Sequence, residues 1–395
     1  MVLARIQTSF EDFPVAIEAY SRATQIRPDR LDLHTARATL EERLMRFDQA
    51  LVSYGRIYEL SYHDPAWMEK AAELHARRGE IEAAVDALRK AMIEGRPERP
   101  QNFFAVARRL ESWNLLPQAR QFAGKGMDLA GNDLFAEPEY SSGGQIYARV
   151  MARLREHDAA YARLHSAWQA AAAKGGEAEG GEESEASQAS LRALSGFRSA
   201  LEELGDAVNR YFSPEEKASF SAFLEKQRAT ATVDELAQTL LPLVQHAGSA
   251  DLEARWRLEV LLARPSHPSN WSHMGRLVEL QKRRLKFNEL GASLQQYAAV
   301  VPHEQMGGIL LQAAQSYRSA DNTAAELAIL GRLGGSGDLA RYLQLLLARE
   351  PQRLLQLAAL PQPNATADAA ANLTIASGNF QLALQAVQAD RKSVV

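Results

Sequence analysis

The sequence predicts an all-α fold, a right-handed α-solenoid of antiparallel helix pairs. Three observations predict it. Ala and Leu are the commonest apolar residues and aromatics make up only 7% of the chain, a composition that favours helix. A set of apolar positions recurs with a period of about 34 residues, which belongs to stacked supersecondary units rather than to a single globular core. Alanines also stand in pairs a dozen positions apart, the spacing of two helices that cross closely across a short turn.

The first elements carry the period directly. Phe13, Phe47 and Ile81 are evenly spaced, and Ala16, Ala50 and Ala84 repeat the same step. Tyr20, Tyr54 and Leu88 follow it, as do Ala23, Ile57 and Ala91. Ala4, Ala38 and Ala72 each precede a central alanine by the same dozen positions, and Ala107 and Ala119 keep that spacing in a fourth unit. A bulky side chain at either alanine would force the helix axes apart. Tyr20, Tyr54 and Leu88 are expected to fill the groove toward the next pair. One helix pair cannot bury its apolar face alone, so neighbours must stack. Pro65 opens a first helix, where its missing N–H costs nothing.

The segments from Phe13 to Ala23, Phe47 to Tyr54 and Gly79 to Ala91 resemble the second helix of the tetratricopeptide repeat family, and Pro28 stands where that family has its closing proline. The resemblance implies two antiparallel helices per repeat, with the first helices lining a concave surface.

Further along, the pattern loosens. Residues 1–131 read as three clean repeats and one divergent repeat, in which Trp113 and Pro117 replace the usual turn. Residues 132–174 read as a further helix pair around Tyr147, Val150, Leu154, Tyr161, Leu164 and Trp168. Residues 175–189 read as a disordered acidic Gly/Glu linker. From Lys174 to Glu185 five glutamates stand against one lysine, which accounts for the whole formal net charge of −4, and too little apolar area is present to offset ordering entropy. Residues 190–395 read as degenerate repeats. Leu194, Phe197, Leu201, Leu204, Val208 and Tyr211 mark one face of a long helix. Ser213 to Glu216 and Thr232 to Glu235 start helices as capping boxes, and Ser249 caps a third. Trp271 to Val278 is similar to the family's first-helix signature W-x2-L-G-x2-Y, and Gly378 to Leu384 is similar to a turn and second helix. Met1 falls inside a first helix by this register and no polar capping helix closes the far end, so the chain is expected to be a fragment of a longer reading frame, of bacterial character by composition.

Composition and motifs exclude much chemistry. The absence of cysteine removes disulfides, thiolate nucleophiles and Cys-ligated metals. No HExxH, G-x-x-x-x-G-K-[ST] or G-x-S-x-G occurs. The cluster Gly331, Gly334, Gly335 and Gly337 reads as an interhelical turn. His157, in an interhelical turn, and His246, His267, His273 and His303 read as caps or surface residues. The run from Lys282 to Lys286 complements a helix dipole and lacks the interleaved aromatics of a nucleic-acid site. No catalytic, cofactor or metal residue is expected, nor nucleic acid as partner. No uncharged apolar run reaches the length of about 18 residues needed to span a membrane. No secretory signal is legible, so a cytoplasmic location is the default and an envelope location applies only if residues precede Met1.

The function expected is a non-enzymatic scaffold that binds a protein or peptide segment in the concave groove. By register the groove holds Thr35, Thr39, Glu42 and Arg43 from the second repeat, Glu69, Glu73 and Arg77 from the third, and Phe104, Arg108 and Glu111 from the fourth. The Lys/Asn clamp of chaperone-tail binders is missing, since Thr35, Ala36 and Thr39, then Glu69, Lys70 and Glu73, occupy its positions. The alternative is the recognition arm of a multidomain protein for export, glycosyl transfer or signalling, whose active part lies outside this chain.

Overall fold

The computed structural model describes residues 12–176, 183–334, 337–358, 369–370 and 372–373. Among them no strand occurs. The chain forms two compact units, Met1–Phe223 with His246–Gly248, and Leu224–Gln245 with Ser249–Val395.

The first unit holds α1 (Phe13–Ile26), α2 (Leu31–Arg43), α3 (Phe47–Leu60), α4 (Pro65–Arg77), α5 (Ile81–Met92), α6 (Pro100–Ser112), α7 (Leu116–Ala130), α8 (Pro138–Arg153), α9 (His157–Gly176) and α10 (Glu183–Tyr211), and α11 (Pro214–Arg228) begins in it. Helices pack in sequence pairs, α2 on α3, α4 on α5, α6 on α7 and α8 on α9. Pro65, Pro100 and Pro138 open first helices, as their fixed φ and missing N–H allow. The second unit continues in the same manner. Its α12 runs through Val233–Glu235, a π-helical stretch Leu236–Leu240 and Leu241–His246, the last residue of which belongs to the first unit. It is followed by α13 (Ala250–Ala263), α14 (Asn270–Arg283), α15 (Phe287–Ala298), α16 (His303–Ser319), α17 (Thr323–Arg332), α18 (Leu339–Arg349) and α19 (Pro351–Ala358).

The alanine spacing does what sterics require. Ala38 and Ala50, Ala72 and Ala84, and Ala107 and Ala119 are all fully buried. A further pair, Ala148 and Ala160, sits at the same spacing on α8 and α9 and is also fully buried. Each pair straddles a turn whose central residue has positive φ: Met45, Gly79, Asn114 and Arg155. The following N–H closes back five residues, from Arg46 to Glu41 O at 2.7 Å, and from Glu80 to His75 O, Leu115 to Leu110 O and Glu156 to Met151 O at 2.9 Å. This closure satisfies carbonyls that a helix end would leave unpaired. Leu285 and Asp321 repeat it in the second unit, with Lys286 and Asn322 donating at 2.9 Å to Gln281 O and Tyr317 O.

Local capping follows the sequence closely. Ser213 and Glu216 exchange bonds at 3.2 and 2.7 Å, and Thr232 and Glu235 form the complete box. Ser249 stands at the N-cap of α13. Gly334 and Gly337 take positive φ in the turn between α17 and α18, while Gly335 lies outside the described residues.

The expected Gly/Glu linker lies partly outside the described residues. Backbone helix reaches Gly176 in α9 and resumes at Glu183 in α10, so only residues 177–182 of the expected linker lie outside the described residues. The reason is packing of α10 against α8 and α9, which buries Ala193, Phe197, Ala200, Leu201, Leu204 and Val208. That long apolar stripe supports helix upstream of itself. The division between the two units falls within α11, after Phe223. Ala4 and the segment from Gly378 to Leu384 lie outside the described residues.

The left-handed turn residues make a test. Met45 and Leu285 are both about three-quarters exposed, so truncation forfeits little burial, while a side chain in this region costs about 1 kcal/mol or more. Met45→Gly and Leu285→Gly are each expected to raise the unfolding free energy by about 1 kcal/mol, and Gly79→Ala to lower it by a similar amount. Urea denaturation measures all three, and a loss of stability in both glycine variants would refute this account of the turn.

Candidate functional site

The first helices of the first unit lie side by side and are joined by ion pairs. Arg77 on α4 reaches Glu42 on α2 at 3.8 Å and Glu73 on its own helix at 2.6 Å. Arg109 on α6 reaches Glu73 at 3.4 Å. Arg149 on α8 holds Glu111 on α6 with two bonds, at 2.7 and 2.8 Å, and Glu203 on α10 at 3.0 Å. Arg153 adds a contact to Glu111 at 3.5 Å and lies 4.9 Å over the Tyr211 ring. A ladder of alternating charge therefore crosses α2, α4, α6, α8 and α10. The Glu111 and Glu203 carboxylates hold the Arg149 guanidinium well above its usual range. Tyr54 donates to Glu42 at 2.5 Å, and burial together with that bond pushes its phenol far up.

The residues expected in the groove divide into three groups. Thr35, Thr39, Arg43, Glu69, Arg77 and Arg108 are at least partly open to solvent. The two threonines donate to the carbonyls of Leu31 and Thr35 at 2.9 Å, and Arg43 lies 4.3 Å over the Phe13 ring. Glu42 and Glu73 are half-buried and already engaged in the ladder. Phe104 and Glu111 are buried, with 3% and 7% of their surface exposed, and are not groove surface. Phe104 enters a slot left by two glycines: a Cβ on Gly126 would come 2.7 Å from its ring, and one on Gly143 would overlap it. Glu111 is drawn inward by its two arginines. The repeat register places Phe104 and Glu111 correctly on first-helix positions, but the next repeat begins later than the period allows, and α8 covers both. Arg149 and Glu203, the partners that complete the ladder, have no counterpart in the register.

Other singled-out residues are also engaged. His157 starts α9 inside a cage of Phe212, Phe220 and Phe223, at ring distances of 5.7, 5.1 and 5.3 Å, with Nε2 2.8 Å from Asp158. It is a core residue and not a surface turn, because the aromatic face of α11 closes over it. His246 meets Asp206 at 2.9 Å, and His267 meets Ser269 at 2.7 Å. Three cations of the basic run are paired: Arg283 with Glu279, and Arg284 and Lys286 with Asp251. Trp271 is 61% exposed, whereas Met274, one turn on, is buried. Among the described residues no group of three or more His, Asp or Glu is placed to hold a metal, and no helix is long and apolar enough to cross a membrane.

Two consequences can be measured. Gly143→Ala places a methyl group in the Phe104 ring and is expected to cost about 1–3 kcal/mol, with Phe104→Leu restoring part of it. An unchanged unfolding midpoint in Gly143→Ala would contradict the slot. His273 is held at about 4 by burial and by Arg257, Arg264 and His267, with Arg257 3.2 Å from its ring. Its folded value lies below the unfolded one, so the neutral ring stabilises the fold above pH ~6.5 and that contribution is lost as pH falls from ~6.5 to ~4. Burial shifts His157 and His34 the same way. Stability measured across this window is expected to fall with acid, and His273→Gln to flatten the slope.

No family profile matches the chain, and no curated protein matches it. Solved structures similar to it include MamA, at 15% identity and TM-score 0.28, covering 44% of this chain and 97% of that one. The tetratricopeptide domain of P58(IPK) aligns at 14% identity and 0.21, covering 90% and 96%. Yeast Tom70 aligns at 11% and 0.24, covering 99% and 94%. With scores this low, the fold statement rests on the chain's own geometry. The repeated alanine crossings, the repeated turn closure and the pairwise packing together make this an all-α chain of tetratricopeptide-like helix pairs.

Proposed function

We propose that the chain is a non-enzymatic scaffold that binds a protein or peptide segment of mixed charge along the first-helix face of the first unit. The carrying observation is the ion-pair ladder across α2, α4, α6, α8 and α10. It fixes the first helices in register while leaving Arg43 and Arg108 exposed beside it. A surface already ordered by its own contacts loses little side-chain freedom on binding, which favours affinity. Alternating charge along it selects a partner with the complementary alternation and adds little for a uniformly charged one.

The test reverses charge at three first-helix arginines that are themselves exposed. Arg43, Arg77 and Arg108 are changed together to Glu in the full chain. Exposed ion pairs are worth at most about 1 kcal/mol each, so the fold is expected to survive, as circular dichroism checks. Partners captured by the natural chain in a pulldown are expected to be retained at least about tenfold less, a loss of ~1.4 kcal/mol or more. Equal retention by a folded triple variant would remove this face as the site.

A further inference from the structure

The geometry points to a separate site in the first unit that takes a phosphate monoester carrying a flat ring. A cleft of about 440 Å³ opens between the C-terminal ends of α3 and α5 and the turns that follow them. That volume is within the range of ligand pockets, and a bare oxyanion would leave most of it empty. Three of its lining side chains, His63, Lys90 and Arg96, can donate to an anion. All three are exposed, and among the described residues none is paired with a carboxylate. Lys90 lies 5.4 Å over the Tyr58 ring, and His63 meets the same ring edge-on at 4.9 Å. Glu94 also lines the cleft, but Arg89 holds its carboxylate at 3.3 Å.

Helix C-terminal ends disfavour anions through their free carbonyls. Here several of those carbonyls are already engaged. Tyr58 O accepts from His63 N at 2.9 Å, Arg89 O from Glu94 N at 3.0 Å and Ile93 O from Arg96 N at 3.2 Å, while Lys90 O accepts from the Tyr58 hydroxyl at 3.4 Å. The cations are left to set the sign of the cleft. The rings divide the remaining work. Tyr58 is buried and its hydroxyl is used, so it supplies wall. Tyr62 keeps 97% of its surface exposed, and its backbone takes positive φ at 56° beside His63 at 64°. No burial of the Tyr62 ring offsets that left-handed conformation. A free ring at the mouth stacks on a flat guest, and the guanidinium and ammonium groups hold its phosphate. A simple oxyanion would leave the ring unused and a neutral ring would leave the cations unused, so the guest joins both. A nucleoside monophosphate and a phosphorylated tyrosine share that chemistry.

Titration calorimetry and ligand-observed NMR on the full chain at low salt test this with AMP, phenyl phosphate, adenosine and inorganic phosphate. AMP or phenyl phosphate is expected to bind at least about tenfold more tightly than inorganic phosphate, the worth of one stacked ring, and more tightly than adenosine. The better of the two tells whether the ring sits beyond a sugar, as in a nucleotide, or on the ester oxygen, as in phosphotyrosine. Tyr62→Asn keeps a residue that tolerates the left-handed backbone, so it is expected to fold and to reduce the better ligand to the affinity of inorganic phosphate. Lys90→Gln with Arg96→Gln removes two exposed charges and is expected to weaken both phosphate esters more than tenfold while circular dichroism stays unchanged. Equal affinity for inorganic phosphate would leave a charge effect alone and overturn the proposal. Equal affinity for adenosine would leave stacking alone and overturn it, as would unchanged binding in either variant or binding of none of the four. Arg43, Arg77 and Arg108 do not line the cleft, so this site and the proposed partner face fail separately.

Discussion

The structure depends on how closely two helices can cross. At Ala38 and Ala50, and at each equivalent pair through Ala148 and Ala160, both methyl groups are fully buried. A larger side chain on either side would push the axes apart and misplace every later helix. The crossing is held by a turn of constant form. A left-handed residue reverses the chain, and the next N–H returns to a carbonyl five residues earlier. The turn fixes where the second helix starts, and the alanines fix how near it lies. Neither is sufficient alone, because a tight turn without small residues would clash and small residues without the turn would not meet.

Charge is arranged on top of that frame. The ladder from Glu42 to Glu203 joins helices that are far apart in sequence and adjacent only after the pairs have stacked. Its outer pair joins an exposed Arg77 to a half-buried Glu73 and stabilises little. Its inner member, Glu111, is withdrawn from water and needs both Arg149 and Arg153 to remain so. The same side-chain chemistry therefore stands open to solvent at one end and inside the fold at the other.

The second unit shows what happens when the crossing rule is relaxed. At the register of the alanine pairs it has Val278 opposite Leu290, and Ala314 opposite Glu326. Glu326 is fully buried and takes bonds from Arg318 at 2.7 Å and Arg341 at 3.0 and 3.1 Å. Bonding of this carboxylate by two guanidiniums outweighs its burial and lowers its protonation range.

What is local and periodic could be read along the chain: helix as the only regular element described, the constant step of the repeat, the alanine crossings of the first repeats, and the capping boxes at Ser213 and Thr232. These depend on near neighbours and on a fixed period, so spacing reveals them. Contacts between distant segments set the rest. They covered Phe104 with the glycines of α7 and α8, buried Glu111 under Arg149, and enclosed His157 in phenylalanines from the end of α10 and from α11. They also brought Ala148 to Ala160 where the repeat count had lapsed, after an insertion that moves the next pair without altering its crossing. Burial is a property of what stacks on a residue, and in a repeat array that information sits one or two helix pairs away, beyond the reach of any local pattern.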